Sequence, residues 1–134
     1  MNEKQKLGVK IAAEMLGEEA GESIEGAINA KHFGAKLSNI ALNQVFAERW
    51  GNTTIDRRSR SLVTLGILMA LRQYNELRYH FKAAVNHGLT VAEIEEIILQ
   101  GAAYAGYPAA SLASRAARDE LESMGFGAQL ENVA

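Results

Sequence analysis

The stretch "GLTVAEIEEIILQGAAYAGYP", Gly88 to Pro108, decides the fold class. Thr90 is followed three residues later by Glu93, which is the capping-box pattern that opens a helix. Gly106 suits the left-handed residue that ends a helix, and Pro108 suits the first turn of the next one. Two helices therefore follow each other across a very short connection, as in an all-α protein. The apolar face of the first helix consists of Ile94, Ile97, Ile98, Gly101, Ala102 and Ala105.

The rest of the chain repeats this pattern of helices separated by glycine or polar turns, and no segment alternates with period two. A polar, glycine-broken connection of a helical turn or two joins the first two helices, and the tail after Gly125 is expected to be frayed. The helix after Asp56 is apolar on two sides, which predicts that it is the buried centre. The predicted helices are Lys4–Leu16, Ala35–Trp50, residues 57–73, a segment capped by Asn75 and ended by Gly88, residues 91–105, and one from Pro108 to Gly125.

Length and charge limit the classes of protein. The 134 residues fit one domain, 1–134, and a net charge of −2 gives no field that attracts nucleic acid or an anionic membrane. No apolar run approaches the roughly 20 residues of a membrane span. No cysteine is present, which excludes disulfides and thiolate chemistry. We expect a soluble, cytoplasmic protein.

Glu76 and His80 form the most informative pair of polar residues. They stand four residues apart, so their side chains can touch on one helix face, and a bonded carboxylate would orient the imidazole and raise its basicity. The alternative is an exposed pair of little energetic consequence. If Asn75 begins a new helix, Glu76 lies in its first turn, where the macrodipole favours a negative charge.

The other polar residues are weaker candidates for a catalytic or binding role. His87 lies near a helix C-terminus, where the dipole favours an imidazolium, and His32 is expected to be solvated. No two histidines have the spacing of a helical metal site, so no metal is expected. Among the arginines of "DRRSRS", Arg60 is a candidate for holding an anionic substrate, whereas Arg57 is expected to be solvated.

The last two helices are rich in small residues from Ala102 to Ala117, a composition suited to close helix packing. This surface favours packing between subunits, and hence a homo-oligomer. The alternative is that the small residues pack only within one chain.

Several blocks of the sequence together resemble the carboxymuconolactone decarboxylase family. They are the R-S-L of residues 60–62, the E-L-x-x-H-x-x-x-A of residues 76–84 with its glycine at Gly88, the E-I-x-E of residues 93–96, and the Y-A-G-x-P-A-A of residues 104–110. The resemblance covers about Phe33 to Leu121. It implies an alkylhydroperoxidase D-like helical bundle that assembles into trimers or hexamers.

The family has a thiol branch and a cysteine-free branch, and this sequence separates them. The thiol branch is marked by C-x-x-C-x-x-x-H, which in register with His80 puts cysteines at Gln73 and Glu76, and its assisting glutamate falls near Ser61. Without a thiolate a thiol peroxidase is excluded. The resemblance that remains is to the decarboxylase-like branch, which implies no metal and no organic cofactor.

The implied reaction is decarboxylation of a small carboxylated lactone such as 4-carboxymuconolactone, in aromatic catabolism. It needs a donor for the developing oxyanion and a general acid that protonates carbon. The resemblance implies that His80 is the acid, that Glu76 orients it and that Arg60 holds a substrate carboxylate. The residues implied for the surrounding apolar pocket are Trp50, Leu65, Met69 and Tyr104.

One segment departs from the family pattern. Many decarboxylase-like members have W-x-R-P-G-L before the D-R-R helix, whereas "RWGNTTIDRR" keeps the tryptophan and a glycine but not that arginine or the proline. Two further hypotheses therefore stay open: a helical oligomer of the same fold without this chemistry, and another small-molecule enzyme such as an isomerase or dehydratase.

Overall fold

The computed structural model describes residues 1–133, in which every regular element is a helix and no strand occurs. By contacts the chain divides into two compact units, Met1–Arg57 and the described residues from Arg58 onward. The all-α fold class is confirmed, and the single domain stays a prediction. The elements are α1 Glu3–Leu16, α2 Glu18–Gly26, α3 Ala35–Ile40, a π-helical segment Ala41–Trp50, α4 Arg57–Ala70, α5 Tyr74–Asn86, α6 Val91–Ala105, α7 Tyr107–Ser123 and α8 Gly127–Leu130.

The first unit is built around α1. Asn2 and Gln5 form a capping box at its start, and its buried face includes Ile11 and Met15. The π-helical segment lies against this face, where the backbone carbonyl of Leu42 comes so close to Gly8 that a side chain there would overlap it. The predicted connection after α1 contains the nine-residue helix α2, which is longer than the turn or two expected.

The second unit joins α4 to α8 around one core. Helices α5 and α6 both pack on α7, and Phe81 of α5 is fully buried in the shared cluster. The start of α4 meets the end of α5, since Ser61 is hydrogen-bonded to His87, so these two helices run antiparallel. The buried members of this core are Leu65, Met69, Leu77, Phe81, Ala84, Leu89, Val91, Ile94, Ala109, Ala113, Ala116, Ala117 and Leu121.

The helix predicted to be the buried centre, α4, buries only one face. Its buried residues are Ser61, Leu65 and Met69, whereas Val63 is 58% and Ile67 54% exposed. The prediction of a helix buried on both sides is therefore wrong for the single chain. The physical reason is that α4 lies at the edge of the core, so only the face toward α5, α6 and α7 is covered.

The junction between α4 and α5 also differs from the prediction. Helix α4 ends at Ala70 instead of Gln73, and Arg72 adopts a left-handed conformation with φ of 56°. The N-cap of α5 is Gln73, without a side-chain hydrogen bond, and not Asn75. The left-handed Arg72 ends α4, and α5 therefore begins two residues earlier than it would with Asn75 as its N-cap.

The boundaries around α6 are confirmed. The Thr90 side chain accepts a hydrogen bond from the backbone N–H of Glu93, whose carboxylate accepts one from the backbone N–H of Thr90. Gly106 has φ of 94°, and Pro108 lies in the first turn of α7.

The small residues of α7 pack inside the chain. Its alanines form the buried face of the helix. This agrees with the alternative that the small residues pack within one chain, and it leaves this face of α7 covered. Within the tail after Gly125, residues 127–130 form α8 and Leu130 packs against the core, so this part of the tail is helical where a frayed end was predicted; Ala134 lies outside the described residues.

Candidate functional site

His80 lies on the middle of α5, half-buried, with its Nδ1 atom buried. Its helix neighbours Leu77, Phe81 and Ala84 are fully buried, so this face of α5 lines the core. Burial lowers the pKa of His80 from its ordinary value of 6.5, because the charged imidazolium loses hydration there. The imidazole is therefore predominantly neutral at pH 7, and a nearby anion would favour its charged form.

Glu76 lies one turn before His80, in the first turn of α5, and its side chain is exposed. Among residues 1–133 no hydrogen bond or ion pair joins the two, and burial is the only cause of the pKa shift of His80. The structure therefore does not bring the carboxylate and the imidazole together. The position of Glu76 at a helix start still favours its charged form.

The three arginines at the start of α4 differ in their surroundings. Arg57 pairs with Glu14 at 2.6 Å, and Arg58 pairs with Glu93. Arg60 is half-buried, with its Nε atom buried, and lies beside the buried Ser61. Arg57 was expected to be solvated, and its ion pair corrects that prediction.

Ser61 and His87 form a polar contact that the sequence reasoning missed. Ser61 is fully buried, and its Oγ lies 2.8 Å from Nδ1 of His87, whose Nε2 is also buried. His87 lies just after the last residue of α5. The available signal was the spacing of Ser61 with Leu65 and Met69, because a serine on a buried stripe requires a hydrogen-bond partner.

The predicted pocket residues fall in different places. Leu65 is fully buried in the core, and Trp50 is buried at the end of the π-helical segment in the first unit. Met69 and Tyr104 line one groove of about 550 Å³ between α4 and α6. This lining is mostly apolar, its one charged residue is Glu96, and it includes neither Arg60 nor His80. The groove by itself therefore offers no cation for an anionic substrate.

Two further properties concern metal binding and the membrane. No group of three histidine, cysteine or acidic side chains within residues 1–133 could hold a metal ion. Over the same residues, no helix has the length and apolar character that crossing a membrane requires.

The fold and this set of residues define a class of helical enzyme, and comparison with known proteins identifies the family. The profile of the Carboxymuconolactone decarboxylase family matches residues 39–119, and the chain belongs to this family. It is 34% identical over 135 aligned positions, 98% of both chains, to a 4-carboxymuconolactone decarboxylase of Acinetobacter baylyi. It is 33% identical over 102 positions, 75% of this chain and 69% of the relative, to a nitrosuccinic acid decarboxylase of Metarhizium robertsii.

Both relatives are named decarboxylases, and the family fits that activity. The chain is accordingly a decarboxylase of the carboxymuconolactone decarboxylase family, so the hypothesis of a helical oligomer without this chemistry is set aside.

Proposed function

We propose that this enzyme decarboxylates a small carboxylated lactone such as 4-carboxymuconolactone, without metal or organic cofactor, in aromatic catabolism. The observation that carries the proposal is the similarity over 98% of both chains to the Acinetobacter enzyme. We keep a cytoplasmic location as a prediction.

The reaction has a simple balance of bonds and electrons. The bond between the lactone carbon and the departing carboxylate breaks, carbon dioxide leaves, and the electron pair spreads through the unsaturated lactone to its carbonyl oxygen. A proton then adds to the ring carbon next to that carbonyl, and the enzyme regains a proton from water. The protein must therefore hold the anion, stabilise the oxyanion and deliver one proton.

In the proposed site, Arg60 holds a carboxylate of the substrate and His80 delivers the proton. A guanidinium can bind a carboxylate with two parallel hydrogen bonds, which fixes its orientation. His80 is neutral in the resting enzyme because burial lowers its pKa. A bound substrate carboxylate would raise that pKa and favour the imidazolium, so the substrate itself would charge the acid.

Glu76 is proposed to orient His80. The spacing of four residues on α5 allows contact, but the exposed carboxylate must first rotate toward the imidazole. If substrate binding produces that rotation, Glu76→Gln lowers kcat and leaves KM nearly unchanged. An unchanged kcat would remove Glu76 from the mechanism. Glu122→Gln, at an exposed position on α7, is the matched control.

The apolar surroundings are proposed to come from Leu65, Met69 and Tyr104, as the family resemblance implies, whereas Trp50 belongs to the first unit and is left out of this proposal. An apolar site disfavours a charged carboxylate relative to neutral carbon dioxide. Leu65 and Met69 support this proposal because they lie on the same buried stripe of α4 as Ser61, next to Arg60. The support for Tyr104 is that it lines the same groove as Met69.

A second candidate substrate is nitrosuccinic acid, because one relative carries that name. Both molecules are dicarboxylic acids in which an electron-withdrawing group can accept the electrons left by carbon dioxide, a lactone in one and a nitro group in the other. One arginine and one acid serve either substrate.

The test is direct incubation with each of the two substrates, following carbon dioxide release and substrate absorbance. We expect turnover of 4-carboxymuconolactone and a loss of about 10²- to 10⁴-fold in kcat for His80→Gln. His32→Gln, at an exposed histidine, is the control and should match the wild type. Turnover of neither substrate by folded protein would overturn the proposal, and turnover of nitrosuccinate alone would replace the first substrate with the second.

We further propose that the enzyme is a homo-oligomer, a trimer or hexamer. Support comes from large apolar side chains that the single chain leaves exposed on α4 and α6, among them Val63, Ile67, Leu99 and Tyr104. Light scattering should give a mass of three or six chains, and Ile67→Glu should lower it while helical content is retained. A monomeric wild type would contradict this proposal.

A further inference from the structure

The buried contact between Ser61 and His87 joins two helices that carry the proposed chemistry. Ser61 follows Arg60 directly on α4, and His87, the C-cap of α5, lies seven residues beyond His80. Seven residues of helix span about 10.5 Å. The Oγ–Nδ1 distance of 2.8 Å therefore connects the turn bearing Arg60 to the end of the helix that bears His80.

Either group can be the donor in this contact. Ser61 is fully buried, and within residues 1–133 its side chain has no hydrogen-bond partner besides Nδ1 of His87. With the ring proton on Nε2 the Ser61 hydroxyl donates to Nδ1, and with the proton on Nδ1 the Ser61 oxygen accepts from it, so the distance fits both tautomers. In either case the bond selects one tautomer of the imidazole.

We propose that Ser61 and His87 are positioning residues, whose hydrogen bond fixes Arg60 relative to His80. This inference rests on the proposed function, because it takes Arg60 as the carboxylate holder and His80 as the acid. Neither Ser61 nor His87 needs to touch the substrate. The bond acts by holding the carboxylate and the acid at the separation that proton transfer to carbon requires, and small displacements of that kind reduce rates steeply.

Four substitutions separate this role from ordinary structural support. Ser61→Ala removes the hydroxyl and His87→Ala removes the imidazole. His87→Asn keeps an amide, which can donate or accept, near the position of Nδ1 and deletes Nε2, so it should preserve the bond. Thr64→Ala removes a hydroxyl from the same helix, at a half-buried residue without a hydrogen bond in the described structure, and serves as the control.

We expect Ser61→Ala and His87→Ala to lower kcat by about 10²-fold with a much smaller change in KM, since Arg60 still binds the carboxylate but at the wrong place. His87→Asn should recover most of the lost kcat, and Thr64→Ala should match the wild type. Wild-type kcat in Ser61→Ala, or a kcat in His87→Asn as low as in His87→Ala, would overturn the inference.

A measurement without substrate keeps this test separate from the proposed function. The ¹⁵N chemical shifts of the His87 ring should report a single tautomer in the wild type and a mixture of tautomers in Ser61→Ala. Equal tautomer populations in the wild type and Ser61→Ala would overturn the inference. If the wild type turns over neither substrate, the proposed function fails on its own account, whatever the ring shifts show.

Discussion

Two glycines of the second unit should differ in how their replacement by alanine changes the free energy of unfolding. Gly66 lies on α4 with nothing within 4 Å of an added Cβ. Gly101 lies on α6, where an added Cβ would overlap Sδ of Met69, a side chain only 1% exposed. The first site is free to accept a methyl group, and the second is occupied.

The free energies follow from these surroundings. An alanine in a helix interior is about 1 kcal/mol more favourable than glycine, so Gly66→Ala should raise the free energy of unfolding by about that amount. Gly101→Ala has the same gain, but displacing a buried side chain costs about 1–3 kcal/mol. The variant should therefore range from unchanged to about 2 kcal/mol less stable than the wild type.

Urea or thermal unfolding at one fixed protein concentration measures both changes, and for a chain of this length 1 kcal/mol corresponds to about 3–5 °C in Tm. Met69→Ala makes room for the new methyl group, so its cost should be smaller in the Gly101→Ala background by about 0.5–3 kcal/mol. Equal stabilisation by both glycine substitutions, or strict additivity with Met69→Ala, would refute the close approach of α4 to α6.

Three further predictions concern single groups. Burial lowers the pKa of His80, so below an imidazole pKa of 6.5 the unfolded chain binds a proton that the folded chain does not, and stability falls as pH decreases; His80→Gln should flatten this dependence in urea titrations between pH 7 and 5. Thr90→Ala removes the cap of α6 and should cost about 1 kcal/mol in unfolding free energy, whereas Ser111→Ala, at an exposed site, should change it by less than about 0.5 kcal/mol. Arg60→Lys should raise KM more than it lowers kcat, because an ammonium cannot make the bidentate contact, and a KM equal to the wild type would argue against Arg60 as the carboxylate holder.

The parts of the fold that were predictable are those that neighbouring residues determine. The capping box of Thr90 and Glu93 and the left-handed Gly106 satisfy backbone groups locally, so the residues themselves specify the helix ends. The end of α4 was not predictable in this way. Arg72 has a side chain that disfavours positive φ, yet it takes the left-handed position of a Schellman motif, in which the N–H of Arg72 donates to Met69 and that of Gln73 to Leu68.

In the candidate site, too, local features were predictable and contacts between distant residues were not. The spacing of Glu76 and His80 gives the contacts they could make, but not the rotamer, and the structure leaves the carboxylate exposed. The contact between Ser61 and His87 joins residues 26 positions apart, so no local pattern could reveal it. The lowered pKa of His80 likewise depends on the surroundings of α5 in the folded chain.

Helix α4 shows why periodicity alone could not separate a central helix from an edge helix. A helix has two apolar stripes either when its own chain buries both sides or when one side is available to pack against another molecule. The structure decides against the first case, because Leu65 and Met69 are covered while Val63 and Ile67 are not. The buried stripe carries Ser61, which contacts His87 and follows the proposed carboxylate holder Arg60. The exposed stripe leaves those residues untouched, so changes there should affect association before they affect turnover.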